Sequence, residues 1–256
     1  MRGFYLSERE CNLKINRTKE KCNKVVKKYY PKEEYKGAFE RYIDLTKEGK
    51  FPKGILLDAG CGKGSKKINY ENICRIAIGI DLDKLSLNAN KLLNYKIIGN
   101  LGELPIKSNV FDMILCQNVI EHLEKPDRAF KEFSRILSVN GTFIFITPNI
   151  YNYVTIISKL TPFFFHRYLN KLRGIKSDET FPTHYRANSR KRLDRIFKET
   201  NLYKEEMIMF QKWPSYLMFS TILFRFGILY ERLINRFEFL GFLRGVIIAR
   251  YRKKVN

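Results

Sequence analysis

Ile55-Leu56-Leu57-Asp58-Ala59-Gly60-Cys61-Gly62-Lys63-Gly64-Ser65 is the stretch on which the fold turns. Three apolar residues run into an acid, and glycine then recurs at every second position. The apolar run is short and dense, as expected of a buried strand in a parallel sheet. The glycines suit a tight turn where the chain leaves the sheet and a ligand approaches the backbone. A helix is expected to start near Lys63 to Ser65, presenting unpaired N–H groups to whatever lies over the turn. The arrangement predicts a nucleotide-type crevice at the carboxyl end of a strand.

Spacing narrows the ligand. No glycine precedes a Lys-Ser pair in the G-x-x-x-x-G-K-[ST] register, so a phosphate-cradling loop is excluded. The dinucleotide fingerprint G-x-G-x-x-G fails as well, because its third glycine would fall on Lys67. The pattern that stands, Asp-x-Gly-x-Gly-x-Gly, resembles the first motif of class I S-adenosylmethionine-dependent methyltransferases. That donor carries no phosphate, so a turn without a phosphate-binding lysine suits it.

A second apolar stretch, Arg75-Ile76-Ala77-Ile78-Gly79-Ile80-Asp81-Leu82-Asp83, ends in acids 23 residues beyond Asp58. An acid at the tip of the second strand meets the ribose hydroxyls of a crevice-bound nucleoside, so Asp81 takes that role. Asp83 reads as the N-cap of a helix running through Leu85, Leu92 and Leu93. Tyr95 to Leu101 reads as a third strand, and Gly99-Asn100-Leu101-Gly102-Glu103-Leu104-Pro105 resembles the family's adenine-contacting loop. The family usually has an acid where Asn100 stands here; an amide both donates and accepts.

Val110 to Cys116 is a fourth strand, and Gln117-Asn118-Val119-Ile120-Glu121-His122-Leu123 resembles the post-strand motif of the methyltransferase type 11 group, which includes quinone and small-molecule O-methyltransferases. The resemblance implies cofactor contacts at Asp58, Gly60, Gly62 and Gly64 in the turn, and at Asp81 and Leu82 on the second strand. It adds Asn100 and Leu101, then Gln117 and Asn118. Pro126 to Leu137 shows a helical apolar face, Asn140-Gly141 a turn, and Thr142 to Thr147 a fifth strand ended by Pro148. Met207 to Phe210 and Gly245 to Ala249 read as the sixth and seventh strands.

The expected fold is α/β: a Rossmann-like, seven-stranded, mostly parallel sheet with helices on both faces, an antiparallel final strand and helical insertions. Residues 1–53 form a basic N-terminal helical extension, with a helix from Tyr35 to Thr46. Residues 54–256 form the catalytic domain, interrupted at about 151–182 and 211–244. The first insertion holds the aromatic and basic cluster Thr161 to Tyr168.

The 256 residues carry a formal charge of +22. Residues 54–149 hold 12 basic and 10 acidic side chains, whereas 1–53 hold 15 and 8, and 211–256 hold 9 and 2. The near-neutral core is thus framed by basic flanks, which could meet anionic lipid, an acidic glycan or nucleic acid. In the second insertion Arg225, Arg232 and Arg236 share a helical stripe, so residues 213–240 read either as a lid or as a helix for an anionic membrane surface. Five cysteines without a C-x-x-C pair give no zinc-ligand spacing, and no metal ligands are assigned. Met1 to Glu8 lacks the apolar core of a signal peptide, so the expected setting is the cytoplasm, with the membrane's inner face as an added option.

Methyl transfer from a sulfonium is an in-line displacement that needs alignment and, for some acceptors, a base. His122, beyond the fourth strand, is the first candidate base, with His184 and Tyr185 second. The Asn/Asp-Pro-Pro-aromatic motif of amino-group methyltransferases is replaced by Gln117-Asn118-Val119-Ile120. Nucleic acid is therefore disfavoured, and an oxygen, or else a carbon, of a small-molecule, lipid-linked or glycan acceptor is favoured. Two alternatives remain open: a nucleic-acid methyltransferase, and a catalytically silent module of this fold for interaction or membrane docking.

Overall fold

The computed structural model describes residues 8–30, 37–49, 51–160 and 182–255. Two helices, α1 (Glu8–Tyr29) and α2 (Ala38–Glu48), precede β1 (Phe51–Ala59) and β2 (Cys74–Asp81). They are followed by α3 (Lys84–Ala89), β3 (Tyr95–Ile98), β4 (Phe111–Gln117), α4 (Pro126–Ile136), β5 (Leu137–Pro148) and α5 (Tyr153–Leu160). The chain closes with α6 (Arg190–Phe197), β6 (Leu202–Phe210), α7 (Thr221–Arg236) and β7 (Val246–Lys253).

The seven strands form one sheet in the order β3-β2-β1-β4-β5-β7-β6. All neighbouring pairs from β3 to β5 are parallel, and β7 runs antiparallel to both β5 and β6. Strand order reverses between β1 and β4, the switch point where a crevice opens at the carboxyl edge. Alternate residues serve opposite faces, as a two-residue period requires. Leu57, Ile114, Phe143 and Phe145 join Phe130 and Phe133 of α4 and Phe197 of α6 in one core. Leu56, Met113, Ile144 and Ile146 join Tyr42 and Leu45 of α2 in the other.

The sheet is as the sequence implies, but five local features differ. No α-helix follows the glycine turn near Lys63 to Ser65; residues 61–69 are irregular and lead into a 3-10 turn at Tyr70–Asn72. Gly64 is left-handed, at φ +82°, and Ile68, Tyr70 and Ile73 are buried, so the short link is pinned flat on the sheet. Asp83 does cap α3, accepting from Leu85 N, but the helix stops at Ala89 and Leu92 and Leu93 lie beyond it. Asn90 stops it, since its Oδ1 accepts from Leu92 N while its amide donates to Gly62 O. Asn140-Gly141 does not separate elements; it sits inside β5 as an irregularity, with Asn140 at φ +64°. β1 begins at Phe51, where Phe51 N donates to Ile73 O. The helix expected from Tyr35 starts at Ala38; Tyr35 and the Thr161 to Tyr168 cluster lie outside the described residues.

Candidate active site

The turn after β1 is hung from β2: the backbone N–H groups of Gly60 and Cys61 both donate to Ile80 O. Gly60 adopts φ +74°, and a Cβ there would lie 2.3 Å from Val119 Cγ2. Glycine at that position therefore lets the turn press against the segment after β4. Gly62 is also left-handed, but a Cβ there would meet nothing within 4 Å, so its backbone faces open crevice. Gly62 N donates to Asp81 Oδ2 and Asp83 N to Asp81 Oδ1, each at 2.8 Å. Each carboxylate oxygen keeps further acceptor capacity, which is what two ribose hydroxyls require. The neighbouring Leu82 is 68% exposed and offers an apolar surface beside the acid.

Farther round the same edge, Asn100 Oδ1 accepts from Gly102 N at 2.9 Å, so its NH2 is the group it presents outward. The neighbouring Leu101 is buried. Gln117 ends β4, and Asn118 adopts φ +53° while donating its N–H to Ile146 O. The expected cofactor contacts thus come from the ends of β1, β2, β3 and β4 along one edge of the sheet.

Two carboxylates lie at the base of the glycine turn. Asp58 is buried and accepts a hydrogen bond from the Tyr70 hydroxyl. Burial pushes its carboxyl up to about 6; the Tyr70 bond opposes this, and the charge of Asp81 adds to it. Burial, helped by Asp58 and Asp81, pushes the Cys61 thiol up to about 12, so it stays protonated and unreactive. The open space at Gly62, the carboxylate at Asp81 and the anionic floor fit a nucleoside bearing a positively charged sulfur.

The candidate bases are assembled at the next corner. After β4 a 3-10 turn, Ile120–His122, receives residues 182–188. His184 N and Tyr185 N both donate to Glu121 O, at 2.7 and 3.1 Å. Arg186 donates to Glu124 O, and the Asn188 amide donates to Thr147 Oγ1 at 2.7 Å. His122 Nδ1 lies 2.8 Å from Pro182 O. A carbonyl can only accept, so Nδ1 carries the proton and Nε2 is the basic nitrogen. His184 Nε2 lies 3.8 Å from Glu124 Oε1. Tyr185 sits at φ +51°, and burial, then the nearby Glu121 carboxylate, push its phenol up. It keeps its proton at neutral pH.

Sequence reading missed Glu121, Thr147, Asn188 and Tyr70. Glu121 is buried and accepts from Thr147 Oγ1 at 2.9 Å, and burial raises its carboxyl. Its signal was present as an acid directly after the buried Ile120, beside the chosen histidine. The partners of Asn188 and Tyr70 come from 41 and 12 residues away, and no local pattern marks them. No cluster of three metal-ligating side chains occurs among the described residues.

Comparison with known proteins agrees with this geometry. Residues 57–145 match the methyltransferase domain family of type 11. A probable S-adenosylmethionine-dependent methyltransferase of Mycolicibacterium smegmatis is 34% identical over 98 residues, covering 37% of this chain and 38% of that protein. A ubiquinone biosynthesis O-methyltransferase of Pelagibacter ubique is 33% identical over 105 residues, covering 37% and 42%. The chain spans less than two thirds of the length of the curated relatives it matches. In fold, the YcgJ protein of Bacillus subtilis superposes with a TM-score of 0.55 at 16% identity, covering 84% of this chain and 99% of that one. Residues 57–145 are thus similar to the methyltransferase domain of S-adenosylmethionine-dependent methyltransferases, on the fold of the class I enzymes.

Proposed function

We propose that the chain transfers a methyl group in line from S-adenosylmethionine to an oxygen, or failing that a carbon, of a small-molecule, lipid-linked or glycan acceptor. The observation that carries this reading is the corner at Glu121, where His122, His184 and Tyr185 meet beside the crevice. The bound donor supplies an electrophilic methyl on a cationic sulfur. Asp81 orients the ribose, Gly62 lets the donor reach the backbone, and Asp58 with Asp81 favours the positive charge. His122 Nε2 would receive the proton of an acceptor hydroxyl as that oxygen takes the methyl, with S-adenosylhomocysteine as the other product. Alignment supplies most of the acceleration, roughly 7–11 kcal/mol. Glu121, held by Thr147, fixes the backbone carbonyl that straps the 182–188 loop in place.

The test joins calorimetry with S-adenosylmethionine to radiolabelled methyl transfer into fractions of cell extract. His122→Gln should keep the binding heat and lower labelling by about 10²–10⁴-fold, the range for general-base catalysis. Wild-type protein giving neither heat nor label would refute the reading. Undiminished labelling by His122→Gln would refute the role of that residue.

A further inference from the structure

The second insertion leaves the carboxyl end of β6 and re-enters at β7, on the same edge as the cofactor crevice. It is tied there by buried amides: Asn149 donates to Phe242 O and Arg244 O, and Asn152 donates to Gln211. Its helix, α7, buries Phe224, Gly227, Ile228, Glu231 and Ile234 against Cys22 and Tyr30 at α1 and against Trp213 and Leu217. A protein-facing helix ordinarily turns a polar surface outward. This one also turns an apolar stripe outward. Ile222, Phe226, Leu229 and Leu233, spaced four, three and four apart, form one outer stripe and are 67%, 65%, 64% and 49% exposed. The turn that follows adds exposed Phe237, Phe239 and Phe242.

Charge indicates what covers this surface. Exposed Arg225, Arg232 and Arg236 run along one flank of the stripe. Arg232 lies 4.5 Å from the ring centre of Tyr29, and Lys28 lies over the same ring, so the lysine-rich end of α1 extends the positive flank. The two acids between residues 211 and 256 are already taken. Glu231 is bonded by Tyr30 and Asn235, and Glu238 by Arg244. A second copy of a +22 chain brings like charge to such a face, and aliphatic side chains gain little from a nucleic-acid groove. An anionic bilayer satisfies both halves of the surface, headgroups taking the arginines and acyl chains the apolar stripe.

We propose that the outer face of α7 and the Phe237–Phe242 turn dock on an anionic lipid bilayer, setting the carboxyl edge of the sheet toward the membrane. This stands independently of the methyl-transfer reading, because it concerns where the protein sits. The test is flotation of the full chain with vesicles of phosphatidylcholine alone, or of an equimolar mixture with phosphatidylglycerol. Wild type should float with the mixed vesicles and not with the neutral ones. Phe226→Ser with Leu229→Ser should abolish flotation. Arg225→Gln with Arg236→Gln should weaken binding to mixed vesicles by about fivefold per arginine. Both pairs replace exposed side chains, and unchanged melting curves and S-adenosylmethionine heats will show that fold and donor site survive. Three results would overturn the proposal: wild type floating with neither vesicle, both variant pairs floating like wild type, or a dimer in sedimentation that Phe226→Ser with Leu229→Ser dissociates.

Discussion

Asp58→Asn should make the protein more stable and a worse methyltransferase at once. The carboxyl lies in the floor of the glycine turn, fully buried, with one hydroxyl partner and a second carboxylate near it. Its pKa in the fold is about 6, against an ordinary 3.8. At 1.36 kcal/mol per pH unit, ionising it inside the protein costs about 3 kcal/mol more than in the unfolded chain. Because the folded value is the higher one, the advantage of the protonated form is fully present below 3.8 and is lost as pH rises through about 6. Asparagine mimics the protonated carboxyl and still accepts from Tyr70. At pH 7 the variant without cofactor should melt roughly 6–12 °C above wild type, taking about 2–4 °C per kcal/mol for a chain of this size. At about pH 4 the two curves should converge, as linkage requires. Calorimetry at pH 7 should show weaker S-adenosylmethionine binding, since a cationic donor loses one of two anionic neighbours. Differential scanning calorimetry across the pH series checks the first part. A variant that melts at or below wild type at pH 7 refutes the reasoning, as would a gap that persists at pH 4.

The other expectations are simpler. Asp81→Asn should lower donor affinity by roughly ten- to hundredfold, the worth of about 1.5–3 kcal/mol for a hydrogen bond to a charged group, and should melt lower as well, because an amide can accept from only one of Gly62 N and Asp83 N; equal calorimetric affinity would remove Asp81 from the site. Gly60→Ala and Gly62→Ala should fail differently. The first forces a Cβ to 2.3 Å from Val119 Cγ2 and should unfold at distinctly lower temperature. The second meets no neighbour, costs only about 1–2 kcal/mol of left-handed strain, and should lose donor binding with the fold retained. Identical behaviour of the two, by melting and calorimetry, would show that Gly62 does not face the ligand.

What could be read in advance divides along the range of the interactions involved. Strands buried on both faces announce themselves as apolar runs, so β1, β2, β4 and β5 stand out, and the crevice follows from residues within a few positions of their ends. The helix expected after Gly64 failed because three alternating glycines fit a helix start and an irregular link equally well. What decided between them was burial of Ile68, Tyr70 and Ile73 on a sheet the local sequence does not display. Asn140-Gly141 looked like a turn for a similar reason, since a left-handed residue also serves a bulge inside a strand. The corner at Glu121 was half visible. His122, His184 and Tyr185 were chosen one by one, but their meeting rests on bonds spanning some sixty residues, such as His122 to Pro182. The outer face of α7 was legible only as an arginine stripe, because which side of a helix is covered depends on its neighbours.

The missing helix has a consequence for selectivity. Where a helix follows such a turn, its positive end helps to hold phosphate. Here the turn leads into irregular chain, and the carboxylates of Asp58 and Asp81 lie at its base. A pyrophosphate brought to this crevice would face those two carboxylates without a helix dipole to favour it. A sulfonium would meet attraction. The same loss of regular structure that defeats a simple reading of the sequence thus lets the site discriminate between cofactors that share an adenosine and differ in the sign of what is attached to it.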